Sequence, residues 1–211
     1  LIFGIGAGWH EKEFEGFLGR FPSVKERMTG LEETIQICRS MFMNERTSFK
    51  GKMYHYENVL NSPLPIQRSL PIMVGGGGEK KILHIAAKYA DISHCAFNPS
   101  MEALDQKLSV LKSHCEAVNR NFNEIKVGIS VNLFLGPTEH EAEVKIRKRA
   151  EQLGLTLDEY CKRLGPARGT PEQCIEAMKE YINKGVSLFT ASFPQPADAE
   201  FFATEVIRKL R

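Results

Sequence analysis

Two glycine-rich segments each follow an apolar run, and they are the parts of this sequence best suited to hold a ligand. The stronger consists of Gly75, Gly76, Gly77 and Gly78, directly after the apolar residues 71–74. Glycine lets the backbone approach a ligand and adopt positive φ, and the unpaired N–H groups at a following helix start attract an anion. The run therefore favours a phosphate-binding loop, with a flexible turn as the alternative reading.

The second glycine segment follows the apolar residues 1–5 and contains Gly6, Ala7 and Gly8, with His10 just beyond. A helical pattern stands where a Rossmann dinucleotide motif requires a second strand, so that motif is not supported. A strand end at which a planar ring lies against bare backbone fits better. His10 is then a candidate hydrogen-bond donor to the ring or the phosphate, or else a loop histidine without a role.

The remaining reactive residues predict neither a metal site nor a nucleophile. Histidines 55, 84, 94, 114 and 140 have no HxH or HExxH spacing, and the five cysteines form no CxxC pair. We expect the cysteines to be reduced packing residues. His94, within an apolar run, is the histidine that could face a ligand, and no catalytic residue is assigned.

Charge and hydropathy favour a small-molecule partner. The 28 Lys and Arg residues nearly balance 26 Asp and Glu, giving a formal net charge of +2, so the sequence provides no field for nucleic acid or an anionic membrane. No apolar run approaches the roughly 20 residues that span a bilayer, and no signal peptide is evident. We therefore expect a cytoplasmic protein.

Apolar runs alternate with helical patterns along the whole chain. Strands are predicted at residues 1–5, 71–74, 91–97, 125–135 and 186–193. Helices are predicted at residues 24–42, from Glu79, from Asn98-Pro99 onward, at 138–149, at 170–185 and at 199–210. Such alternation predicts a parallel α/β architecture.

A (β/α)8 TIM barrel takes about 250 residues, whereas this chain offers five units in 211 residues and begins within a strand. We expect a partial barrel covering about the last five βα units, as a single domain over residues 1–211. Its open strand edges would favour a homo-oligomer, such as a dimer.

Several segments, taken in their order and spacing, resemble the luciferase-like monooxygenase family, and above all its coenzyme F420-dependent branch. They are LIFGIGAGWHEKE (1–13), FPSVKER (21–27), FKGKMY (49–54), NSPLPIQ (61–67), PIMVGGGGEKK (71–81), Ala90-Asp91 and GTPE (169–172).

This resemblance implies a TIM barrel whose cofactor ring lies across the strand ends, near Gly6, Ala7, Gly8 and His10, with its phosphate held by residues 75–78. It implies a flavin- or deazaflavin-dependent oxidoreductase or monooxygenase acting on a small organic substrate, with F420 expected before FMN. The acid–base residue would lie in preceding βα units that this sequence does not contain. The alternatives are a catalytically silent cofactor-binding homologue that needs a partner chain and a non-redox phosphate-binding lyase or isomerase.

Overall fold

The computed structural model describes residues 1–210, in which parallel strands alternate with helices. The strands are β1 (Phe3–Gly6), β2 (Arg46–Lys50), β3 (His55–Leu60), β4 (Ile72–Gly75), β5 (Ile92–Phe97), β6 (Lys126–Asn132) and β7 (Val186–Ser192). The helices are α1 (Glu11–Leu18), α2 (Val24–Met43), α3 (Ile82–Tyr89), α4 (Met101–Ala117), α5 (Glu139–Gln152), α6 (Leu157–Cys161), α7 (Pro171–Asn183), α8 (Pro196–Phe202) and α9 (Arg208–Leu210). A 3₁₀ turn covers Phe122–Glu124, and a π turn covers Ala203–Ile207.

The chain divides into two compact units, whose boundaries fall within β5, within α4 and directly before β6. The first unit comprises Leu1–Cys95 and Ser109–Ile125, and the second comprises Ala96–Leu108 and Lys126–Arg211. In the first unit β1, β4 and β5 pair in parallel in that order. In the second, β6 and β7 are also parallel. The predicted parallel α/β architecture is therefore confirmed.

The sheet of the first unit has one face covered by helices. Ile72 and Val74 of β4 are fully buried, and α2 packs against β1 while α3 packs against β4. Ile35 of α2 and Leu83 of α3 are also fully buried, each worth about 1.5–3 kcal/mol of burial. This packing holds the strands from one side and leaves the other face for the site described below.

Residues 46–60 form an antiparallel hairpin, β2–β3, that the sequence did not predict. Glu33 of α2 fixes its turn, because the buried carboxylate accepts the backbone N–H groups of Lys52, Met53 and Tyr54 at 2.6–3.0 Å. A side-chain carbon at Gly51 would collide with that carboxylate. Burial opposes the charge of Glu33, but the three donors prevail and lower its pKa below the ordinary value.

Asp91 ties the amino-terminal ends of β4 and β5 together. Its carboxylate accepts the Ile72 amide at 2.8 Å and the Arg39 guanidinium at 3.0 Å, while its own amide donates to the Ile72 carbonyl at 2.9 Å. Asp91, in the Ala90-Asp91 segment, therefore has a structural role in aligning the two strands.

The core of the second unit lies between its strands and α7. Ile129, Val131 and Tyr181 are buried there at 2% exposure or less. The Tyr181 hydroxyl donates to the Pro99 carbonyl at 2.5 Å, and burial raises the pKa of that hydroxyl.

Three helix starts differ from their prediction, and one is that of α8, which begins at Pro196 and not at residue 199. α3 begins at Ile82, because Glu79 and the next two residues form a turn. α4 begins at Met101, and the Ser100 hydroxyl accepts the Ala103 amide in place of the expected Asn98-Pro99 cap. Asn98 instead adopts φ 46° and accepts the Asn132 amide with its side-chain oxygen at 2.6 Å. Local propensity could not reveal this tertiary use of its side chain.

Candidate cofactor-binding site

The two glycine segments meet at the carboxyl ends of β1 and β4. Gly6 and Gly75 are register partners in the parallel pair. A side-chain carbon on Gly6 would lie 3.2 Å from the Gly75 carbonyl oxygen, and one on Gly75 would lie 3.7 Å from the Ile5 oxygen. The strand ends therefore present adjoining bare backbone, where ligands bind in parallel α/β proteins.

The same sheet face continues the bare surface. Strand alternation places Gly4, Gly6, Met73, Gly75 and His94 on this face, because register partners in a parallel sheet project to the same side. Gly4 and Gly6 are exposed, and His94 is half-buried. A flat ring could lie on this face without meeting a β-carbon at Gly6 or Gly75, whereas the Met73 side chain lies over Gly4, with its Cε 3.0 Å from where a β-carbon would stand.

The loop after β1 is fixed by packing. Gly8 has φ 72°, and a side-chain carbon there would collide with the Phe14 ring. The Arg27 guanidinium donates to the Gly8 carbonyl at 2.6 Å and lies 4.4 Å from the Phe21 ring centroid. Gly8 is thus needed for the shape of the loop, whatever its role towards a ligand.

His10 lies at the start of α1, directly after this loop. Its ring is half-buried and meets the exposed Trp9 ring edge-on at 5.2 Å. The Nδ1 atom of His10 is buried without a hydrogen-bond partner. An unsatisfied buried polar atom costs about 1–3 kcal/mol, and such atoms mark places where a ligand or a small movement completes the bonding.

The glycine run after β4 divides into a sheet part and an open part. Gly76 has φ 131°, and its amide donates to the His94 carbonyl at 3.0 Å. Within residues 1–210, the amides of Gly77 and Gly78 donate to no acceptor. The donors available to an anion are therefore the later ones of the run.

The far side of the run is held by α3 and α4. The Gly78 carbonyl accepts the Leu83 amide at 3.1 Å, and His114 Nε2 of α4 donates to the Glu79 carbonyl at 2.7 Å. Side-chain carbons at Gly76 or Gly78 would each lie 3.2 Å from Ile82. The loop is thus a supported turn, and its helix begins three residues later than the sequence indicated.

The structure brings Gly6, Gly75 and Gly76 together with His94 at neighbouring strand ends. Sequence reasoning missed His114 as a support of the loop. His114 carries no local signal of this role, because its contact joins α4 to a distant turn.

Two structural absences bear on other site classes. Among residues 1–210 no group of three or more His, Cys, Asp or Glu side chains is arranged to hold a metal ion. Over the same residues, no helix combines the length and the apolar character needed to cross a membrane.

Comparison with known proteins identifies the family to which the chain belongs. The family model for luciferase-like monooxygenases matches residues 1–163, and the chain belongs to that family. An F420-dependent glucose-6-phosphate dehydrogenase from Tsukamurella paurometabola is 24% identical over 213 residues, covering 89% of this chain and 61% of that protein. The chain thus spans about three fifths of that relative's length.

Solved structures share the fold. An F420-dependent secondary alcohol dehydrogenase in complex with an F420–acetone adduct superposes with a TM-score of 0.80 at 17% identity, over 99% of this chain and 69% of that one. The coenzyme F420-dependent tetrahydromethanopterin reductase from Methanopyrus kandleri gives 0.76 at 16% identity, over 100% of this chain and 74% of that one.

Proposed function

We propose that this protein is an oxidoreductase that transfers a hydride between coenzyme F420 and a small organic substrate. The observation that carries the proposal is the pairing of Gly6 with Gly75, which leaves two neighbouring strand ends without side chains. A β-carbon at either position would fill the space that a flat ring needs. The relative and the two structural neighbours described above are F420-dependent enzymes, which supports the same cofactor here.

The residues present fit a deazaflavin. Gly6 and Gly75 would take the ring against backbone, with Ala7, Gly8 and His10 in the loop beside it. The open amides of Gly77 and Gly78 would donate to the phosphate, which needs no arginine there. When bound, F420 supplies a two-electron hydride acceptor or donor, and the protein's task is to orient it and exclude water.

FMN is the second candidate cofactor, because it too is a planar ring system with a phosphate on its side chain. With reduced FMN the activity would be oxygenation, as the family's name implies. The bare face does not distinguish the two rings, so the F420-dependent relatives decide the preference.

For the architecture, we propose the last five units of a (β/α)8 barrel, forming one domain over residues 1–211. The proposal is supported by the parallel strands of each unit and by the share of the relatives' length that the chain spans. A cytoplasmic location and a homo-oligomeric state, such as a dimer, are part of the same proposal.

The test is turnover with the full chain. The protein is supplied with F420 and a panel of alcohols and sugar phosphates, and loss of the oxidised deazaflavin absorbance is followed. Substrate-dependent loss supports the proposal. F420 binding without turnover of any substrate points to the catalytically silent alternative, and activity with FMN alone overturns the choice of F420.

A further inference from the structure

The second unit contains a cavity of about 560 Å³ at the carboxyl ends of its two strands, lying wholly within that unit. Asn132 ends β6 and Ser192 ends β7, and both line it. Its volume is within the range of about 300–1,000 Å³ typical of small-molecule sites.

Part of the cavity lining is aromatic and held in place by packing. Phe134 is buried and meets the Tyr160 ring edge-on at 5.8 Å, and Phe193 packs against Phe202 with ring centroids 5.5 Å apart. Phe134, Tyr160 and Phe193 line the cavity. Because their partners hold these rings, they offer a preformed surface to an apolar or aromatic body.

Another part of the cavity lining is cationic. Lys145, Lys148, Arg149 and Gln152 line the cavity from α5, at the i, i+3, i+4 and i+7 spacing that puts them on one helix face. Among residues 1–210, no Asp or Glu lines the cavity. Asp198 is buried and bonded to Lys145, whose ammonium also donates to the Leu135 carbonyl.

Within residues 1–210, two of these cations form no ion pair with an acidic side chain. Among the residues that the structure describes, the Arg149 side chain donates only to the side-chain oxygen of the neutral Gln152, at 3.1 Å, and the Lys148 side chain forms neither a hydrogen bond nor an ion pair. In the same part of the chain, the side chains of Asn132 and Ser192 also form no hydrogen bond. Cations without an acidic partner thus line the same cavity as aromatic rings, with open polar groups at the strand ends.

We propose that this cavity binds an organic anion in which a carboxylate or phosphate is attached to an apolar body. The anionic group pairs with Lys148 and Arg149, and the body lies against Phe134 and Phe193. The cavity lining shares no residue with the bare face at Gly6 and Gly75, and the proposal does not rest on the proposed function. Its test needs no redox cofactor.

The experiment titrates the full chain with phenyl phosphate, benzoate, inorganic phosphate and benzyl alcohol, using calorimetry and amide chemical shifts. Phenyl phosphate or benzoate binds at least about tenfold more tightly than both benzyl alcohol, which lacks the charge, and inorganic phosphate, which lacks the body. Whichever of the two aromatic anions binds more tightly identifies the preferred group. Added salt weakens the binding.

Lys148→Glu reverses one cavity charge and lowers the affinity for the preferred probe at least about tenfold. Arg147→Glu is the matched control, since Arg147 is adjacent on α5, exposed, paired with Glu143 and absent from the cavity lining. It changes the affinity less than about threefold. Equal effects of the two variants, or no binding of either aromatic anion to the wild type, would overturn the proposal.

Discussion

Gly6 and Gly75 lie opposite each other at the carboxyl ends of β1 and β4, so close that a β-carbon on Gly6 would stand 3.2 Å from the Gly75 carbonyl oxygen. Glycine segments that are distant in sequence thereby become one surface. Of the two positions, Gly75 is the better place to test that surface. The atom nearest to a β-carbon added at Gly75 would be the Ile5 carbonyl oxygen, at an ordinary contact distance of 3.7 Å.

We expect Gly75→Val to leave the fold intact, because valine suits a strand, and to weaken F420 binding at least about tenfold by placing two methyl groups on the sheet face. Thermal unfolding and a fluorescence titration measure the two effects. Gly16→Ala is the control, since Gly16 lies on α1 with nothing near its added carbon. Unchanged affinity in a folded Gly75→Val protein would argue against a ring on this face.

The glycine loop yields a prediction about the order of effects. Valine at Gly76 cannot easily adopt φ 131° and would shift the following amides, so Gly76→Val should weaken cofactor binding by about 100-fold. Lys80→Ala should cost less than about fivefold, because Lys80 is exposed. Titrations of both folded variants compare the losses, and a larger loss for Lys80→Ala would show that charge, and not backbone, holds the phosphate.

Glu33 predicts a pH dependence of stability. Because its pKa is lowered in the folded protein, its contribution is fully present above the unfolded value of about 4.3 and is lost as the pH falls through the lower folded value. Glu33→Gln should lower the free energy of unfolding by about 2–4 kcal/mol at neutral pH and flatten this acid limb. Denaturant unfolding at several pH values between about 3 and 7, a range that includes the ordinary pKa of glutamate, measures both effects. Glu45→Gln, at an exposed residue, is the control. Equal acid limbs in the wild type and Glu33→Gln would refute this role.

Tyr181 and Gly165 should be energetically coupled in the second unit. A side-chain carbon on the buried Gly165 would lie 2.9 Å from the Tyr181 hydroxyl and 3.3 Å from the Pro99 carbonyl oxygen. Tyr181→Phe should cost about 1–2 kcal/mol and Gly165→Ala about 1–3 kcal/mol. The double variant should cost less than the sum, because removing the hydroxyl makes room. Strict additivity in a double-mutant cycle would contradict the close contact.

Most strands and helices could be predicted, because each has a hydrophobic period strong enough to read locally. β4 and α2, for example, lie within one or two residues of their predicted bounds. α1 was missed because it buries none of its residues, and the β2–β3 hairpin because most of its residues are exposed. Its turn depends on Glu33, a contact across some twenty residues that no local pattern records.

The sequence predicts which residues form the candidate site but not how they are arranged. Glycines after apolar runs were recognisable, whereas the pairing of β1 with β4 is a tertiary fact. The hydrogen bonds from the Gly76 amide to the His94 carbonyl and from the His114 ring to the Glu79 carbonyl also depend on neighbouring elements. The sequence predicts α5 only as a helix over residues 138–149, and the cavity beside its cationic face is evident only in the structure.

The most direct test of the central claim is the affinity of the full chain for F420 and FMN, measured side by side by calorimetry in the wild type and in Gly75→Val. The account predicts that F420 binds at least about tenfold more tightly than FMN and that Gly75→Val removes most of that affinity. Tight FMN binding without F420 binding would contradict the choice of cofactor. F420 affinity that is the same in the wild type and Gly75→Val would contradict its placement on the bare face at Gly6 and Gly75.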